Sequence, residues 1–389
     1  GNDAGGGIFN WQAPIAGIPS LGNNSCTADG GVIFTATGVS SSIGCYARQL
    51  PDNFYRVSWF GATITCLDSY PTCNSDLPPG SVIETANVTS INKTFAAAQP
   101  GNYGVMFDQC GRYFFNAPII TPNNDGTYDQ RPFVMHGCGT GNFRDYDLIT
   151  HGSVLTMDPA VNSVVFAYRD WSAHKASGQI DIEGMGFEAC STTYVVLIDS
   201  LYYNSMFHNN GVKQTDGYAG SGAGCTGDGL DISVSASSSV IENNTFAGNT
   251  YKTGGTATRH GTGLSIYPTL TAGLFRIIGN ASVGWDTGFD IGGADGPSDG
   301  IQGLLIQQNE VSVDTYGIKI RNLMASVDIN DNYFESGTTN VIFDCGNYTK
   351  VEHNYFAPSS YSKAINNTGC PVASTIGNTY VNNFILANG

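Results

Sequence analysis

Short segments in which apolar and polar residues alternate recur along the second half of the chain, and this alternation predicts strands with one buried face. The most regular segments are residues 178–183, 229–234, 263–267, 288–291, 317–321 and 340–344. A short polar segment that contains an asparagine recurs with these repeats, at Asn244, Asn280, Asn309, Asn332, Asn354 and Asn378. These asparagines are 36, 29, 23, 22 and 24 residues apart. A strand-rich and Gly-rich period in the low twenties predicts a solenoid, in which each turn of backbone stacks on the previous turn and longer steps are loops inserted into single turns.

One segment nearer the N-terminus has a helical periodicity instead, because Val88, Ile91 and Phe95 recur at i, i+3 and i+7. We predict an amphipathic helix over about residues 82–98, ahead of the regular turns. A helix at this position is expected to cover the open end of the stack, where unpaired strand groups otherwise face water.

The chain has 389 residues, 50 of them Gly. This length exceeds an ordinary globular core but suits a solenoid, whose turns contact only their neighbours. Residues 1–62 are predicted to form a Gly-rich leader with short strands, and residues 63–389 a single repeat domain that includes the helix. No apolar run approaches the roughly 18 residues that a membrane span requires.

The charge balance is acidic, with 32 Asp and Glu against 16 Lys and Arg and a formal net charge of -16. A duplex nucleic acid partner is disfavoured, because phosphate binding needs clustered basic residues. An acidic polysaccharide as partner requires a local basic cleft or a bound cation in such a chain.

Ten cysteines without a close Cys-x-x-Cys pair predict disulfides rather than a zinc site. Sequential pairing joins Cys26 to Cys45, Cys66 to Cys73, Cys110 to Cys138, Cys190 to Cys225, and Cys345 to Cys370. The segments before Cys110 and Cys138 resemble equivalent strands of neighbouring turns, which hold Cα atoms close enough for a disulfide. An even number of cysteines favours an oxidising, extracellular setting, whereas buried reduced thiols are the alternative.

Residues 59–62 (Trp-Phe-Gly-Ala), the predicted helix and residues 104–113 together resemble the opening of the pectate-lyase-like family of right-handed parallel β-helices. Segments 5–11 and 30–34 resemble the part that precedes this opening in tailspike-type depolymerases. The resemblance covers nearly the whole chain. It implies an all-β fold, a right-handed single-stranded parallel β-helix with an N-terminal capping helix. It also implies an extracellular polysaccharide depolymerase, secreted or on a virion or cell surface, and assembly as a homotrimer.

Three segments are also similar to polygalacturonases, since residues 227–233, 260–266 and 317–321 resemble their Asn-Thr-Asp-Gly, Gly-His-Gly and Arg-Ile-Lys segments. The chain departs from that pattern, because the adjacent Asp-Asp pair is absent and the basic pair is reversed, as Lys319-Ile320-Arg321. The fold alone does not specify the reaction, because it carries hydrolases, lyases, epimerases and binding proteins.

Stacking of the turns is expected to align outward side chains into columns. One column contains Asp231, Ser265, Asp290 and Lys319, and its neighbour contains Ser233, Tyr267, Gly292, Arg321 and Asp344. Asp231 and Asp290 are two turns apart, so their predicted separation is roughly 9.6 Å. This value is close to the roughly 6.5–9.5 Å between the carboxyl groups of an inverting glycosidase, so these two residues are the leading acid and base.

Further candidates lie just before these strands. Asp228, Asp286 and His260 are additional catalytic candidates, although the two Asp residues also suit turns and His260 also suits a loop. The predicted substrate-binding residues are the aromatic Tyr267 and Trp285, which suit stacking on sugar rings, and the basic Lys319, Arg321 and Arg259.

A second charged patch is expected one turn before Asp231, next to the long loop 211–227. Its members are Asp181, Glu183, Glu188, His208 and Lys213. The acidic loop with Asp295 and Asp299 is a candidate Ca²⁺ site, with a solvated turn as the alternative. No other metal and no cofactor is predicted.

Of three possible functions, we predict the first and keep the other two as alternatives. The first is a glycoside hydrolase with paired carboxylates in a groove along the β-helix. The second is a lyase that acts by β-elimination on a uronic-acid glycan through Lys319, Arg321, Tyr267 or His260. The third is a non-catalytic glycan-binding spike or adhesin that uses the same groove.

Overall fold

The structure is a computed structural model of the chain. It describes residues 7–13, 26–65, 81–120, 132–139, 152–158, 160–168, 179–202, 204–214, 225–248, 260–267, 272–292, 301–313, 315–321, 325–335, 340–357, 363–368, 370 and 377–386. Within these ranges, no helix is both long enough and apolar enough to cross a membrane.

Three short strands, β1 (Phe9–Gln12), β2 (Ile33–Phe34) and β3 (Cys45–Arg48), form a small antiparallel sheet near the N-terminus, with β3 in the middle. The next strand, β4 (Phe54–Arg56), pairs in parallel with the strand of the following turn. The parallel stack therefore begins inside the segment that was predicted as a leader.

Helix α1 spans Val82–Ala98, which confirms the predicted helix. Its first turn is closed by a capping box, because the Glu84 N–H donates to the Ser81 hydroxyl and the Ser81 N–H donates to the Glu84 carboxylate. Its buried face packs on the first turns, where Phe95 stacks on Phe133 with ring centroids 5.5 Å apart. Two 3₁₀ helices, Val57–Phe60 and Gln99–Gly101, flank the helix.

The body of the protein is a right-handed parallel β-helix with three faces, which the chain visits in the order A, B and C in each turn. Face A contains β7 (Ile119–Ile120), β10 (Phe166–Tyr168), β13 (Tyr194–Tyr202), β16 (Asp228–Ser237), β19 (Thr262–Ile266), β23 (Thr287–Ile291), β26 (Tyr316–Ile320), β29 (Asn340–Asp344) and β32 (Lys363–Asn366). Face B contains β4, β5 (Gly104–Met106), β8 (Phe133–His136), β11 (Ile180–Glu183), β14 (Met206–His208), β17 (Val240–Glu242), β20 (Ala272–Gly273), β21 (Arg276–Ile278), β24 (Ile301–Gln307), β27 (Ala325–Asn330), β30 (Lys350–Glu352) and β33 (Thr379–Val381). Face C contains β6 (Gly111–Phe115), β9 (Ser153–Met157), β12 (Met185–Ala189), β15 (Gly211–Gln214), β18 (Thr245–Ala247), β22 (Ala281–Val283), β25 (Glu310–Ser312), β28 (Tyr333–Glu335), β31 (Tyr355–Ala357) and β34 (Phe384–Ile385).

The core lies inside the coil, where the inward residues of all three faces meet. Alternation along each strand sends apolar residues inward, and equivalent residues of neighbouring turns then stack on each other. Phe334 and Phe356 of face C stack in this way with ring centroids 5.2 Å apart, and across the core Phe187 of face C stacks on Phe207 of face B with centroids 6.1 Å apart. The outward side chains are thereby left to form the surface on which a site can be built.

The corner between faces B and C has the same form in seven successive turns, namely two residues of which the second is asparagine. The first residue has a left-handed φ of 53–66° in each, as in Gln308 and Asp331. The asparagines are Asn210, Asn244, Asn280, Asn309, Asn332, Asn354 and Asn383. From Asn244 onward, each side-chain oxygen accepts the backbone N–H of the asparagine one turn earlier, at 2.8–3.1 Å, and that of Asn210 accepts the N–H of Met185 at 3.0 Å. We call this column the asparagine ladder.

The ladder corrects one part of the sequence interpretation. Its last member is Asn383, not Asn378, and it begins a turn earlier than predicted, at Asn210. Asn378 instead accepts the N–H of Thr349, on the approach to face B. The error arose because Asn378 and Asn383 each directly precede a short strand, which begins with Thr379 or Phe384, so the spacing alone did not distinguish them.

Four of the five predicted disulfides are present, and each joins segments that the fold brings together. They are Cys26–Cys45, Cys110–Cys138, Cys190–Cys225 and Cys345–Cys370, with Cα atoms 4.7–5.8 Å apart. Cys66 and Cys73 lie outside the described residues.

Candidate active site on face A

The predicted carboxylate column exists on the outer surface of face A. In the strand register, Asp231 lies opposite Ser265, Ser265 opposite Asp290, and Asp290 opposite Lys319. This alignment confirms the column that the alternation predicted. At about 4.8 Å per turn, Asp231 and Asp290 are offset by roughly 10 Å along the coil axis.

The neighbouring column is only partly as predicted. Tyr267 and Arg321 continue strands β19 and β26 at equivalent outward positions. Asp344, however, lies opposite Ile320 and belongs to an inward row. It is fully buried and accepts hydrogen bonds from Tyr380 and Thr349. Asp344 therefore has a structural role rather than a place on the outer surface.

Asp231 is a largely buried carboxyl group at the centre of face A. Its Oδ1 atom is buried, and no hydrogen-bond partner for it occurs among the described residues. Burial, followed by the nearby charges of Asp228 and Asp199, raises the pKa of Asp231 to about 7. Such a group is protonated for much of the time at neutral pH, which is the state that a general acid requires.

Asp228 connects two turns beside Asp231. Its Oδ1 accepts the N–H of Thr262 at 2.7 Å, and its Oδ2 accepts the hydroxyl of Ser265 at 2.7 Å. Burial raises the pKa of Asp228, and the hydrogen bonds from Ser265 and Thr262 oppose that shift. Because both oxygens are occupied, Asp228 fixes the start of β19 and adds negative charge next to Asp231.

Asp290 is held by two cations. The Arg321 Nε donates to its Oδ1 at 2.8 Å, the Arg321 Nη2 donates to its Oδ2, and the Lys319 Nζ lies 3.5 Å from Oδ2. Only 3% of the Asp290 side chain is exposed. In this arrangement the carboxylate is positioned to anchor Lys319 and Arg321 rather than to contact a sugar.

Two tyrosines complete this cluster, and each lies against one of the cations. The Lys319 Nζ is 4.5 Å from the centre of the Tyr316 ring, and the Arg321 guanidinium is 5.7 Å from the centre of the Tyr267 ring. Burial and then the charge of Asp290 raise the pKa of the Tyr267 hydroxyl far above its usual range. A tyrosine in this state is a poor general base at neutral pH.

Trp285 contradicts its predicted role as a sugar-stacking residue. Its side chain is fully buried inside the coil. Gly229 and Gly263 make room for it, because a Cβ atom at either position is 3.2 Å from the indole ring. The prediction was wrong because the aromatic residue turns inward at the end of face C, where the strand alternation no longer applies.

The remaining candidates lie near the strand starts of face A. Asp286 accepts the Thr315 hydroxyl through its side chain and the Thr315 N–H through its backbone carbonyl, which is the bonding of a turn residue. His260 is half-buried just before β19, two residues ahead of Thr262. Arg259, Asp295 and Asp299 lie outside the described residues.

Asp199 is a member of the site that the sequence interpretation missed. It lies on β13, two residues after Leu197, and Leu197 is the residue opposite Asp231 in the strand register. Its charge contributes to the raised pKa of Asp231. Residues 194–198 are almost uninterruptedly apolar, so the alternation that marks outward positions elsewhere is hidden here. Asp199 lies at the register shift between Ile198 and Ser200, which the sequence pattern does not indicate.

The second predicted patch is divided between two faces. On face B, the His208 Nε2 lies 2.9 Å from Asp181 Oδ1 and the His136 Nε2 lies 3.4 Å from Asp181 Oδ2. Glu183 flanks both histidines at 3.9 Å. Hydrogen bonds from the two histidines lower the pKa of Asp181, and the bond to Asp181 raises the pKa of His208. The described part of the chain contains no group of three or more His, Cys, Asp or Glu arranged to hold a metal ion.

The other half of that patch lies on face C. Glu188 is buried there and is paired with Arg112, with Lys213 Nζ 3.8 Å away. Thr156 also donates its hydroxyl to Glu188, at 3.3 Å. The corner between β11 and β12 separates Glu183 from Glu188, so the predicted single patch does not form.

Comparison with known proteins identifies the fold. No family model and no curated protein matches the chain. Among solved structures, the chain is similar to a tailspike protein of Acinetobacter baumannii bacteriophage Fri1, described as a capsular polysaccharide depolymerase. The identity is 13% and the TM-score 0.56, over 98% of this chain and 69% of that one.

Two further tailspikes are similar at lower scores. A tailspike of Acinetobacter phage vb_AbaP_AS12 has 11% identity and a TM-score of 0.47 over 85% of this chain, which spans about half (49%) of that protein. A tailspike variant of Escherichia coli bacteriophage HK620, in complex with a pentasaccharide, has 10% identity and a TM-score of 0.47 over 92% of this chain and 68% of that one. By its fold, this chain is a right-handed parallel β-helix of the kind found in phage tailspike proteins.

Proposed function

We propose that this chain is an extracellular polysaccharide depolymerase that cleaves glycosidic bonds by hydrolysis on face A. The observation that carries the proposal is Asp231, a carboxyl group with a pKa of about 7 and a buried oxygen without a partner among the described residues. Such a proton donor is what the departure of a sugar hydroxyl requires. The Fri1 tailspike, a capsular polysaccharide depolymerase of similar fold, supports the same substrate class.

The proposed acid is Asp231, and the proposed base is Asp199. The two are offset by one turn and about two residues along the strand, which gives a separation of roughly 8 Å between them. That distance is within the roughly 6.5–9.5 Å of inverting glycosidases, in which a water molecule fits between the base and the sugar. Asp199 takes a proton from the water, the water oxygen attacks the anomeric carbon, and Asp231 protonates the leaving oxygen as the C–O bond breaks.

Asp290 has a different part in this proposal from the one that sequence spacing suggested. It holds Lys319 and Arg321 in place, and these two residues with Tyr267 form a substrate-binding surface further along face A from the acid. A lyase reaction with Tyr267 as base is disfavoured, because the raised pKa of that hydroxyl keeps it protonated. Asp228 is proposed to maintain the high pKa of Asp231 by charge repulsion.

The experiment is a screen of bacterial capsular polysaccharides, with products analysed by mass spectrometry and ultraviolet absorbance. Asp231→Asn is expected to lower the cleavage rate by about 10²-fold or more while polysaccharide binding is retained. Asp331→Asn, an isosteric change at an exposed corner of the helix, is the matched control and is expected to have no effect. Cleavage by the unchanged protein is expected to decline as pH rises through about 7, because Asp231 loses its proton.

The products distinguish the three functions that the sequence left open. Fragments with new reducing ends and one added water per cut support hydrolysis. Fragments with unsaturated, ultraviolet-absorbing ends contradict it and indicate β-elimination. Binding without fragments, for every polysaccharide in the screen, contradicts an enzyme and supports an adhesin.

The proposal includes an extracellular or virion-surface location and a homotrimer. The four disulfides support the location, because such bonds persist in oxidising surroundings. The trimer rests on the resemblance to tailspikes. Light scattering tests it, since a mass near the 41.1 kDa of one chain contradicts assembly.

A further inference from the structure

Lys319 and Arg321 form a concentrated basic site in an acidic protein. The chain has 16 basic residues against 32 acidic ones. These two occupy successive outward positions at the end of β26, so both side chains lie on the outer surface of face A. The end of one strand therefore carries two of the few cations of the chain, with Lys319 in the column that also contains Asp231 and Arg321 in the neighbouring column.

The anion that pairs with these cations lies beneath them. Asp290 is 3% exposed, whereas the side chains of Lys319 and Arg321 are 21% and 31% exposed. Among the described residues, the buried Asp290 forms ion pairs with both cations, so two positive charges meet one negative charge at this contact. Because the negative charge is the buried one, the surface that a ligand meets is cationic.

The cluster is also rigid and partly apolar, as a sugar-binding surface requires. The Tyr316 ring supports the Lys319 ammonium, and the Tyr267 ring lies against the Arg321 guanidinium. The contacts with Asp290 fix both cations from below. Ordered cations bind an anion with less loss of conformational entropy than free side chains do.

The distance from the proposed acid tells which sugar the cluster contacts. Lys319 lies three turns from Asp231, so the two are separated by roughly 14 Å along the groove. A group bound by Lys319 therefore belongs to a sugar residue away from the scissile bond, not to the sugar whose bond Asp231 protonates.

We infer that Lys319 and Arg321 form a distal subsite for a carboxylated sugar, so that the substrate class is an acidic polysaccharide with carboxylates at intervals along its chain. This inference rests on the proposed function in that it assumes face A to be the glycan-binding face. It supplies the local basic surface without which an acidic polymer does not approach a chain of net charge -16.

The test measures binding alone, with the full chain carrying Asp231→Asn. The probes are purified capsular polysaccharides that contain uronic acid, each paired with its own carboxyl-reduced form. The expected result is at least about tenfold weaker binding of the reduced form than of the acidic form. Adding Lys319→Gln is expected to weaken binding of the acidic form by about tenfold and to leave the reduced form unchanged. Lys319→Arg is the conservative control and is expected to restore binding.

Lys319 is the residue to change because Arg321 alone still pairs with both oxygens of Asp290, so the buried carboxylate keeps a partner in Lys319→Gln. Equal binding of acidic and reduced forms overturns the inference, and so does binding of neutral polysaccharides only or of none of the acidic ones. Equal loss for both forms in Lys319→Gln also overturns it, because it indicates a structural role. Carboxylate-dependent binding without any cleavage by the unchanged protein contradicts the hydrolase proposal and leaves this inference standing.

Discussion

Replacement of Asn309 by alanine tests the energetic importance of the asparagine ladder. The Asn309 side chain is 1% exposed and makes five hydrogen bonds. Its Oδ1 accepts from the N–H and the Nδ2 of Asn280, at 2.9 and 3.0 Å. Its Nδ2 donates to Ile277 O, Gln307 O and Asn332 Oδ1, at 2.9–3.0 Å.

The expected loss of stability follows from these bonds. The N–H of Asn280 loses its ladder acceptor inside the protein, and an orphaned buried donor costs about 1–3 kcal/mol. Each of the other lost bonds contributes about 0.5–1.5 kcal/mol, less whatever local relaxation recovers. We therefore expect Asn309→Ala to lower the free energy of unfolding by about 3–5 kcal/mol.

The assay is equilibrium unfolding in urea followed by far-ultraviolet circular dichroism. Gln308→Asn is the matched control, because Gln308 is the exposed neighbour in the same corner and asparagine tolerates its left-handed φ of 56°. A loss below about 1 kcal/mol in Asn309→Ala, similar to that of the control, refutes the view that the ladder bonds stabilise the turns.

Two further predictions concern the charged clusters outside face A. Hydrogen bonds from His136 and His208 lower the pKa of Asp181, so its contribution to stability is present above the unfolded-state value of about 4 and is lost as pH falls. The raised pKa of His208 adds stability that is present below its unfolded-state pKa of about 6.5 and is lost as pH rises. Asp181→Asn is therefore expected to destabilise the protein more near pH 5 than near pH 9, as measured by urea unfolding at both pH values. An equal effect at both pH values contradicts this coupling. On face C, burial alone raises the pKa of Glu188, but the charge of Arg112 helps to hold that pKa below its usual range. Arg112→Met removes one of the charges that compensate this buried carboxylate. It is expected to lower the free energy of unfolding by roughly 3–5 kcal/mol in the same assay. The double change with Glu188→Leu is expected to recover most of that loss, and a double variant as unstable as the single one refutes the explanation.

The fold was predictable because its signals are local and periodic. Alternation of apolar residues located five strands of face A, from β16 to β29, and it placed Asp231 and Asp290 in one column, as the strand register confirms; the sixth regular segment, residues 178–183, lies on face B instead. The helix was found from the same kind of pattern and has the predicted bounds. A solenoid favours this kind of prediction, because each turn repeats the same geometry and equivalent residues of successive turns lie next to each other.

The site was less predictable, because it depends on how deeply each side chain is buried and on register shifts between strands, which the sequence pattern does not reveal. Trp285 was expected on the surface and is inside, since glycines of the neighbouring turns open a space for it. Asp199 was missed because residues 195–198 before it are buried on both faces of the strand, so no apolar–polar alternation marks the outward positions. Asp290 was expected to be catalytic, yet its exposure depends on where the long side chains of Lys319 and Arg321 lie.

The constancy of the asparagine corner has a consequence for how this molecule can change. Seven turns cross from face B to face C in two residues, whereas between β18 and β19, on the way to face A, fourteen residues intervene, and between β22 and β23 only three do. From β14 onward, insertions occur only at the two edges that border face A, while the asparagine corner keeps one length; an earlier turn differs, with sixteen residues between β8 and β9. Grafting a longer or differently charged segment at those edges is expected to alter which glycan is recognised while the register of the coil stays as it is.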